Sequence, residues 1–436
     1  MQNCLGIYIE SHLIKYAKVS KEKDTFKVES FGVNFLENIS LADAIKKIVE
    51  ETYSFSTPIC INLSNENYLY YNIFSLLSKN DVQRSVQTEF EAYCDENKYN
   101  QNAFETRYAL VQNVEDKEKI KAIQIVVNKI ELNRQKQPLE KYRLTRISPV
   151  GTAIASVAKL EKKENVLIVN MEENTTITTV IDRQVYNVDT IDNGSQEVLA
   201  KINKVENSLS KAYSICKETT IYTSSVVEGT KEQPYLQYIV PTLYQICQKV
   251  QQIVSESNVK ISTIYLTGTL SAINNVDLYF QEFLSGIDCK ILRPSIVEEK
   301  TGQINIKDYI EVNTPISLAL QGLGEGIQAL NFKNMSFMDQ LKQALTADIG
   351  SKKLKGTVKA KGKENKAIDF SSFKSKLSDT ETMLLRAVSA IILINIIFII
   401  FTKVLMTQMN KKQTEIEGLI STQNAEIAKV NKDINS

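Results

Sequence analysis

The chain has 436 residues, and its 52 Lys and Arg against 51 Asp and Glu give a formal net charge of +1. This balance offers no basic face for nucleic acid, and no nucleic-acid partner is predicted. A single histidine, His12, argues against a His-based zinc centre or a Ser-His-Asp enzyme. The cysteines are scattered without a CxxC pair, which indicates a reducing compartment.

Three short strands and a helix open the chain. The strands are predicted at residues 5–9, 13–19 and 26–33, which are rich in Ile, Val, Tyr and Phe and are separated by charged turns. A helix follows, with Ser40 as its N-cap and apolar residues at helical spacing. The next predicted elements are a strand at 58–63, a helix at 79–97, strands at 109–114 and 122–128, and a helix at 129–142.

The opening pattern returns in the second half of the soluble part. Strands are predicted at residues 165–170, 175–181 and 184–191, and a long helical stretch is predicted from Gly194 to about residue 217. A strand at 261–266, a turn at Gly268 and a helix at 276–284 follow. The repeat predicts a duplicated, two-lobed α/β domain over residues 1–335, with an inserted subdomain at about 75–147.

The C-terminal part changes composition twice. Residues 336–382 are predicted to be a basic, flexible linker, since residues 351–376 carry nine lysines against Glu364 and Asp369. Residues 383–405 are apolar on every face and long enough to cross a bilayer as a helix. By the positive-inside rule, the lysines keep the N-terminal domain in the cytoplasm and place the C-terminus outside.

Residues 406–436 carry apolar side chains at alternating spacings of three and four, which predicts an extracytoplasmic coiled coil. This tail would make a homodimer or a heterodimer. The alternative is a solvated helix, because Gln413 and Gln423 interrupt the seam. The predicted oligomerisation seam consists of Ile416, Ile420, Ile427, Val430 and Ile434.

Three short motifs lie at predicted strands and turns: residues 6–15 (GIYIESHLIK), 166–172 (VLIVNME) and 264–269 (IYLTGT). In this order they resemble the first phosphate loop, the second phosphate loop and the adenosine-side turn of PilM, the actin-like protein of type IV pilus assembly. The resemblance covers about residues 5–331 and implies an actin-like (ASKHA) fold. The degenerate nucleotide site that it implies consists of Ser11, Lys15, Asn170, Thr175 and Gly268.

The loops depart from the family pattern at the positions that matter for phosphate. Tyr8 and Asn170 stand where the family has aspartates, and Glu10 and Glu172 stand where it has glycines. The second adenosine-side glycine is Thr269. Carboxylates facing phosphates repel them, so no hydrolysis and no required cofactor are predicted. ATP with Mg²⁺ remains the alternative, because the remaining motif residues could be residual contacts or ordinary strand residues.

The layout resembles GspL of type II secretion, in which an actin-like domain is fused to one membrane helix and an exported tail. Residues 371–436 resemble the start of PilN, without its final α/β domain. The resemblance implies a non-catalytic inner-membrane scaffold of a type IV pilus or type II secretion system. Its implied partners are a PilO-like membrane protein, a cytoplasmic pilus assembly ATPase and an inner-membrane platform protein. It also implies a peptide groove beside the insertion, with residues 367–373 as its occupant.

Two other functions share this fold. One is a membrane-tethered actin-like ATPase similar to FtsA, and the other is an enzyme similar to sugar or acetate kinases. Both need working phosphate loops, and the residues at positions 8 and 170 argue against them. The sequence leaves open which motor docks, whether the system makes pili or secretes, and the oligomeric state.

Overall fold

The computed structural model describes residues 2–221, 233–295 and 306–333. The chain divides into two units, Met1–Gln340 and Leu341–Ser436, and every described residue belongs to the first unit. Among the described helices, none combines the length and the apolar character needed to cross a bilayer. The predicted linker, membrane helix and coiled coil, with the seam residues, lie outside the described residues and stay predictions.

The described strands are β1 Gln2–Ile9, β2 Leu13–Glu22, β3 Thr25–Phe35, β4 Ile59–Asn62, β5 Asn67–Phe74, β6 Phe104–Gln112, β7 Lys119–Asn128, β8 Leu144–Ser148, β9 Asn165–Met171, β10 Thr175–Ile181, β11 Gln184–Ile191, β12 Thr263–Thr267 and β13 Asp288–Ile291. The described α-helices are α1 Leu41–Glu51, α2 Lys79–Glu96, α3 Lys129–Lys136, α4 Val150–Ala153, α5 Ser195–Glu206, α6 Leu209–Glu218, α7 Leu236–Glu256, α8 Val276–Phe283 and α9 Ile306–Gly322.

Two sheets with the same plan form two lobes. The sheet of the first lobe has the order β3-β2-β1-β4-β8, and that of the second lobe has the order β11-β10-β9-β12-β13. In each sheet the first three strands pair antiparallel and the last two join in parallel. This internal repeat confirms the duplicated α/β architecture predicted from the recurring strand pattern.

Helix α1 shows how local sequence fixes an element of the first lobe. Ser40 is its N-cap, and the Ser40 hydroxyl accepts a hydrogen bond from the Asp43 backbone N–H at 3.1 Å. Its buried face, which includes Ile45 and Ile48, packs against the apolar side chains of β1 and β4. The predicted cap and apolar face are both confirmed.

Helix α9 covers the other face of the first sheet and contacts β1, β2 and β4. It lies so close to β1 at Gly6 that a Cβ there would overlap the carbonyl group of Pro315. Buried polar side chains on α9, among them Asn313 and Thr314, point toward the turns of the second lobe. The helix therefore connects the two lobes through side-chain contacts.

The insertion forms a third sheet, ordered β5-β7-β6 and packed on α2. Strand β5 belongs to this sheet, so the sheet starts ahead of the predicted boundary near residue 75.

The insertion also contacts the edge strand of the second lobe. The Tyr70 hydroxyl donates to the Val188 carbonyl at 2.8 Å and accepts from the Val188 N–H at 2.7 Å. A side-chain oxygen of Gln184 accepts from the Gln112 N–H at 3.1 Å.

Helical structure is confirmed in the stretch predicted from Gly194 to about residue 217, although the stretch is not continuous. The structure has two helices there, because Asn207 adopts the left-handed conformation (φ +53°) and ends α5. Ser208 then caps α6 by accepting a hydrogen bond from the Lys211 N–H at 3.3 Å. Apolar side chains at helical spacing continue across the break, so the periodicity did not reveal it.

Candidate functional site

The first turn of one lobe faces the first turn of the other lobe across the cleft between them. The turn between β1 and β2 carries Glu10 and Ser11, and the equivalent turn between β9 and β10 carries Glu172 and Glu173. A third turn, after β12, carries Gly268 and adjoins the second turn. The internal repeat therefore brings the three predicted loop motifs together from distant parts of the sequence.

Each of the first two turns donates a backbone N–H to a glutamate of the other. The Glu173 N–H donates to Glu10 Oε1 at 3.1 Å. In return, the Ser11 N–H donates to both carboxylate oxygens of Glu173 at 3.2 Å, and the Ser11 hydroxyl donates to the same carboxylate. Backbone N–H groups in such turns are the donors that a phosphate loop offers to phosphate. Here protein carboxylates occupy them.

Lys15 and Glu172 form a buried ion pair between the lobes, with 0% and 1% of their side chains exposed. The Lys15 ammonium also donates to the Thr269 hydroxyl at 2.7 Å. Glu172 Oε2 accepts from the Thr269 N–H and hydroxyl at 3.1 and 2.9 Å, and Glu172 Oε1 accepts from the Thr314 hydroxyl at 2.7 Å. A buried ion pair needs additional hydrogen bonds of this kind, because they offset the free energy that both charges lose when they leave water.

Burial raises the pKa of Glu10 from its ordinary 4.5 to about 8. The nearby Lys15 opposes this rise, whereas the negative charges of Glu172 and Glu173 add to it. Glu10 is therefore mostly protonated at neutral pH. A neutral carboxyl can lie in the crowded acidic turn without repelling its neighbours.

The structure places all five predicted nucleotide-site residues around this cleft. Ser11 and Lys15 bond to glutamates of the second turn, as described. The Asn170 side-chain oxygen accepts from Thr314 at 3.3 Å, and the Thr175 hydroxyl donates to the Asn193 carbonyl at 2.7 Å. Gly268 has φ +89°, and a Cβ there would lie 2.7 Å from the Met171 carbonyl carbon.

Sequence reasoning missed two residues of the site. Glu173 follows Glu172 directly, and this acidic doublet was the available signal for a second carboxylate in the turn. Thr314 lies on α9, far along the chain, and nothing in its local sequence indicates a contact with Glu172. The predicted repulsion between Glu172 and a phosphate also needs correction, because Lys15 neutralises Glu172.

A cavity of about 490 Å³ lies among the first lobe, the insertion and the second lobe. Tyr8 and Asn170, which stand at the aspartate positions, both line it, together with Glu66 and Glu173. Residues 367–373, the predicted occupant of a groove beside the insertion, lie outside the described residues.

The side chains present do not fit a nucleotide phosphate. One N–H of each of the first two turns, that of Ser11 and that of Glu173, is bonded to a glutamate side chain, and Lys15 is paired with Glu172. In the described part of the chain, His, Cys, Asp and Glu side chains form no cluster of three or more that could hold a metal ion.

Two repeated lobes, facing turns and a connecting helix define a two-lobed actin-like α/β domain, as predicted. No family model and no curated protein matches the sequence. Among solved structures, the chain is similar to the PilM-PilN type IV pilus biogenesis complex, with a TM-score of 0.59 and 15% identity over 73% of this chain and 98% of that chain.

Two further structures are similar at lower TM-scores. The ethanolamine utilization protein EutJ from Carboxydothermus hydrogenoformans has a TM-score of 0.43 and 9% identity over 73% of this chain and 90% of its own. The cytoplasmic domain of EpsL, an inner membrane component of the type II secretion system of Vibrio cholerae, has a TM-score of 0.38 and 10% identity, over 77% and 100%.

Proposed function

We propose that this protein is a nucleotide-independent, actin-like scaffold in the inner-membrane platform of a type IV pilus or type II secretion system. The observation that carries this proposal is the crossed pair of hydrogen bonds between the turns. Glu10 accepts from the second turn, and Glu173 accepts from the first. These bonds join the lobes with the chain's own carboxylates, at the place where actin-like ATPases hold phosphate.

The sequence beyond the described residues supports a platform role. The apolar segment at 383–405, behind a lysine-rich approach, would anchor the domain in the inner membrane and hold it in the cytoplasm. The seam at 416–434 would pair the exported tail with a second copy or with a PilO-like membrane protein. The actin-like domain would then dock a cytoplasmic assembly ATPase and an inner-membrane platform protein.

The similarity in fold to the PilM-PilN complex also supports the proposed platform role. That complex contains PilM and PilN, and this chain would carry a PilM-like domain and a PilN-like membrane segment in one polypeptide. We propose that the fusion fixes their ratio and makes a separate docking step between them unnecessary. The protein would then transmit the position of the motor across the membrane without chemistry of its own.

Deletion of the gene in its own host tests this role. We expect the deletion to abolish surface pili or secretion, and the full chain to restore them. A chain truncated after residue 380 should accumulate as folded domain but fail to restore them, because the anchor and tail are gone. A variant with Ile420 and Ile427 changed to Asp separates the tail from the anchor, and we expect it to insert but not to restore. Normal piliation and secretion in the deletion strain would refute the proposal.

A further inference from the structure

A second cavity, of about 350 Å³, lies between the first turn and the start of α5. Its polar wall carries three carboxylates, those of Glu10, Glu37 and Glu173. Its apolar wall is formed by Leu13, Leu36, Leu199 and Leu209. The basic side chains that line it, His12 and Lys204, are exposed.

Two buried polar groups of this cavity have unused hydrogen-bonding capacity. Ser195 is fully buried, and its hydroxyl has no hydrogen-bond partner. Glu10 is 7% exposed, and within the described part of the chain a donor reaches only its Oε1 atom. A buried hydroxyl without a partner costs free energy, so Ser195 points to a polar ligand. The second carboxyl oxygen of Glu10, which accepts from no donor in the described part of the chain, favours a ligand that donates hydrogen bonds.

The start of α5 does not make this cavity an anion site. The Ser195 N–H donates to the Glu172 carbonyl at 2.6 Å, and the Gln196 N–H donates to the Glu173 carbonyl at 3.4 Å. The first N–H groups of the helix are therefore occupied by the second turn. The carboxylates of Glu37 and Glu173, which repel anions, also line the cavity.

We propose that this cavity binds an ammonium group carried on an aliphatic stem. The ammonium would donate to Glu10, Glu173 and the Ser195 hydroxyl, and its three N–H donors match these three acceptors. The stem would lie along the leucine side chains of the apolar wall and shield them from water. A turn that resembles a phosphate loop would then bind a cation instead of an anion. A free diamine and a lysine side chain of a partner protein share this chemistry.

Binding should depend on pH through Glu10, whose carboxyl must lose its proton to pair with an ammonium group. The charged and titratable groups that face it are Lys15, Glu172, Glu173, Tyr8 and Tyr213, with Glu37, His12 and Lys204 around the cavity. Because the pKa of Glu10 is about 8, the affinity should rise by roughly tenfold per pH unit below that value.

Calorimetric titration of the full-length protein in detergent with cadaverine, at pH 6.5 and 8.5, tests the site. We expect saturable binding that is at least about tenfold tighter at the higher pH. The variant Glu10→Gln keeps the neutral shape of the side chain and should fold, but it should lose both the affinity and the pH dependence. Ser195→Ala should weaken binding. Glu89→Gln, an exposed carboxylate on α2, is the matched control and should bind as the wild type does.

A blocked Gly-Lys-Gly tripeptide distinguishes the two ligand sources, because it offers only a lysine side chain. Binding of the tripeptide at least as tight as that of cadaverine indicates a partner's lysine, and preference for cadaverine indicates a free diamine. The proposal is overturned if the wild type binds neither ligand at pH 8.5. It is also overturned if Glu10→Gln, with an unchanged melting temperature, binds as tightly as the wild type. Neither result depends on the proposed platform role.

Discussion

Lys15 and Glu172 are the residues on which the contact between the lobes depends most directly. Both are shielded from water, and Glu172 accepts hydrogen bonds from Thr269 and Thr314 as well. Replacing Lys15 by Met leaves a buried carboxylate without its counter-charge. We expect K15M to lower the free energy of unfolding by about 3–5 kcal/mol. Urea unfolding followed by circular dichroism measures this loss.

A double-mutant cycle separates the ion pair from the packing of the lysine stem. The variant K15M/E172Q removes both charges, so it should recover most of the stability that K15M loses. Lys46→Met is the control, since Lys46 and Glu50 form an exposed pair at 3.9 Å and their separation should cost less than about 1 kcal/mol. Equal losses in K15M and K46M would mean that the buried pair does not hold the lobes.

Glu10 should make the stability of the domain depend on pH. Its folded pKa of about 8 lies above its ordinary 4.5, so the folded state holds this proton more tightly than the unfolded state. The stabilisation is therefore present at low pH and is lost as the pH rises from about 4.5 to about 8. In E10Q this contribution is absent. We expect the fall in melting temperature between pH 6 and pH 8.5 to be smaller in E10Q than in the wild type. If the melting temperature falls equally in both proteins, the pKa of Glu10 is not raised.

At the residue scale, the sequence allowed the altered loop positions to be identified but not their new partners. Tyr8, Glu10, Asn170 and Glu172 were visible as departures from the family motif. The pairing of Glu172 with Lys15, and of Ser11 with Glu173, depends on how two lobes meet. No local pattern encodes such long-range contacts.

Among the elements, the turn after β12 depends on a glycine in two ways. Gly268 has φ +89°, and any side chain there would also meet the Met171 backbone. Gly286 has a similar φ of +93° with nothing within 4 Å of an added Cβ. We expect G286A to cost roughly 1–2 kcal/mol from the backbone alone, and G268A to cost at least about 2 kcal/mol more. Urea unfolding of both variants measures the difference, and equal costs would contradict the close approach to β9.

Regular elements were predicted where their own residues determine them. The repeated strands and the α1 cap follow from apolar patterns and a serine, and the structure has them. Strand β5 and helix α7 received no prediction. The predicted helical stretch after Gly194 is interrupted at Asn207, because backbone conformation, and not hydrophobicity, ends α5 there.

At the scale of the whole domain, the cleft is closed in two places by protein alone. At one place, backbone N–H groups of the two turns donate hydrogen bonds to the side chains of Glu10 and Glu173. At the other, the insertion is hydrogen-bonded to β11 through Tyr70 and Val188. The two-lobed fold could be predicted because it repeats in the sequence. The contact between the insertion and the second lobe could not, since Tyr70 and Val188 lie 118 residues apart in the sequence.

The central claim is that this cleft works without nucleotide, and a thermal melt of the full-length protein in detergent, with and without Mg-ATP, tests it most directly. A ligand at about a hundred times its dissociation constant would add roughly 2.7 kcal/mol of stability, which a melt detects readily. We expect no change in melting temperature for the wild type, because Glu10, Glu172 and Glu173 occupy the phosphate donors and their cation. A rise in melting temperature that requires both ATP and Mg²⁺ would contradict this account.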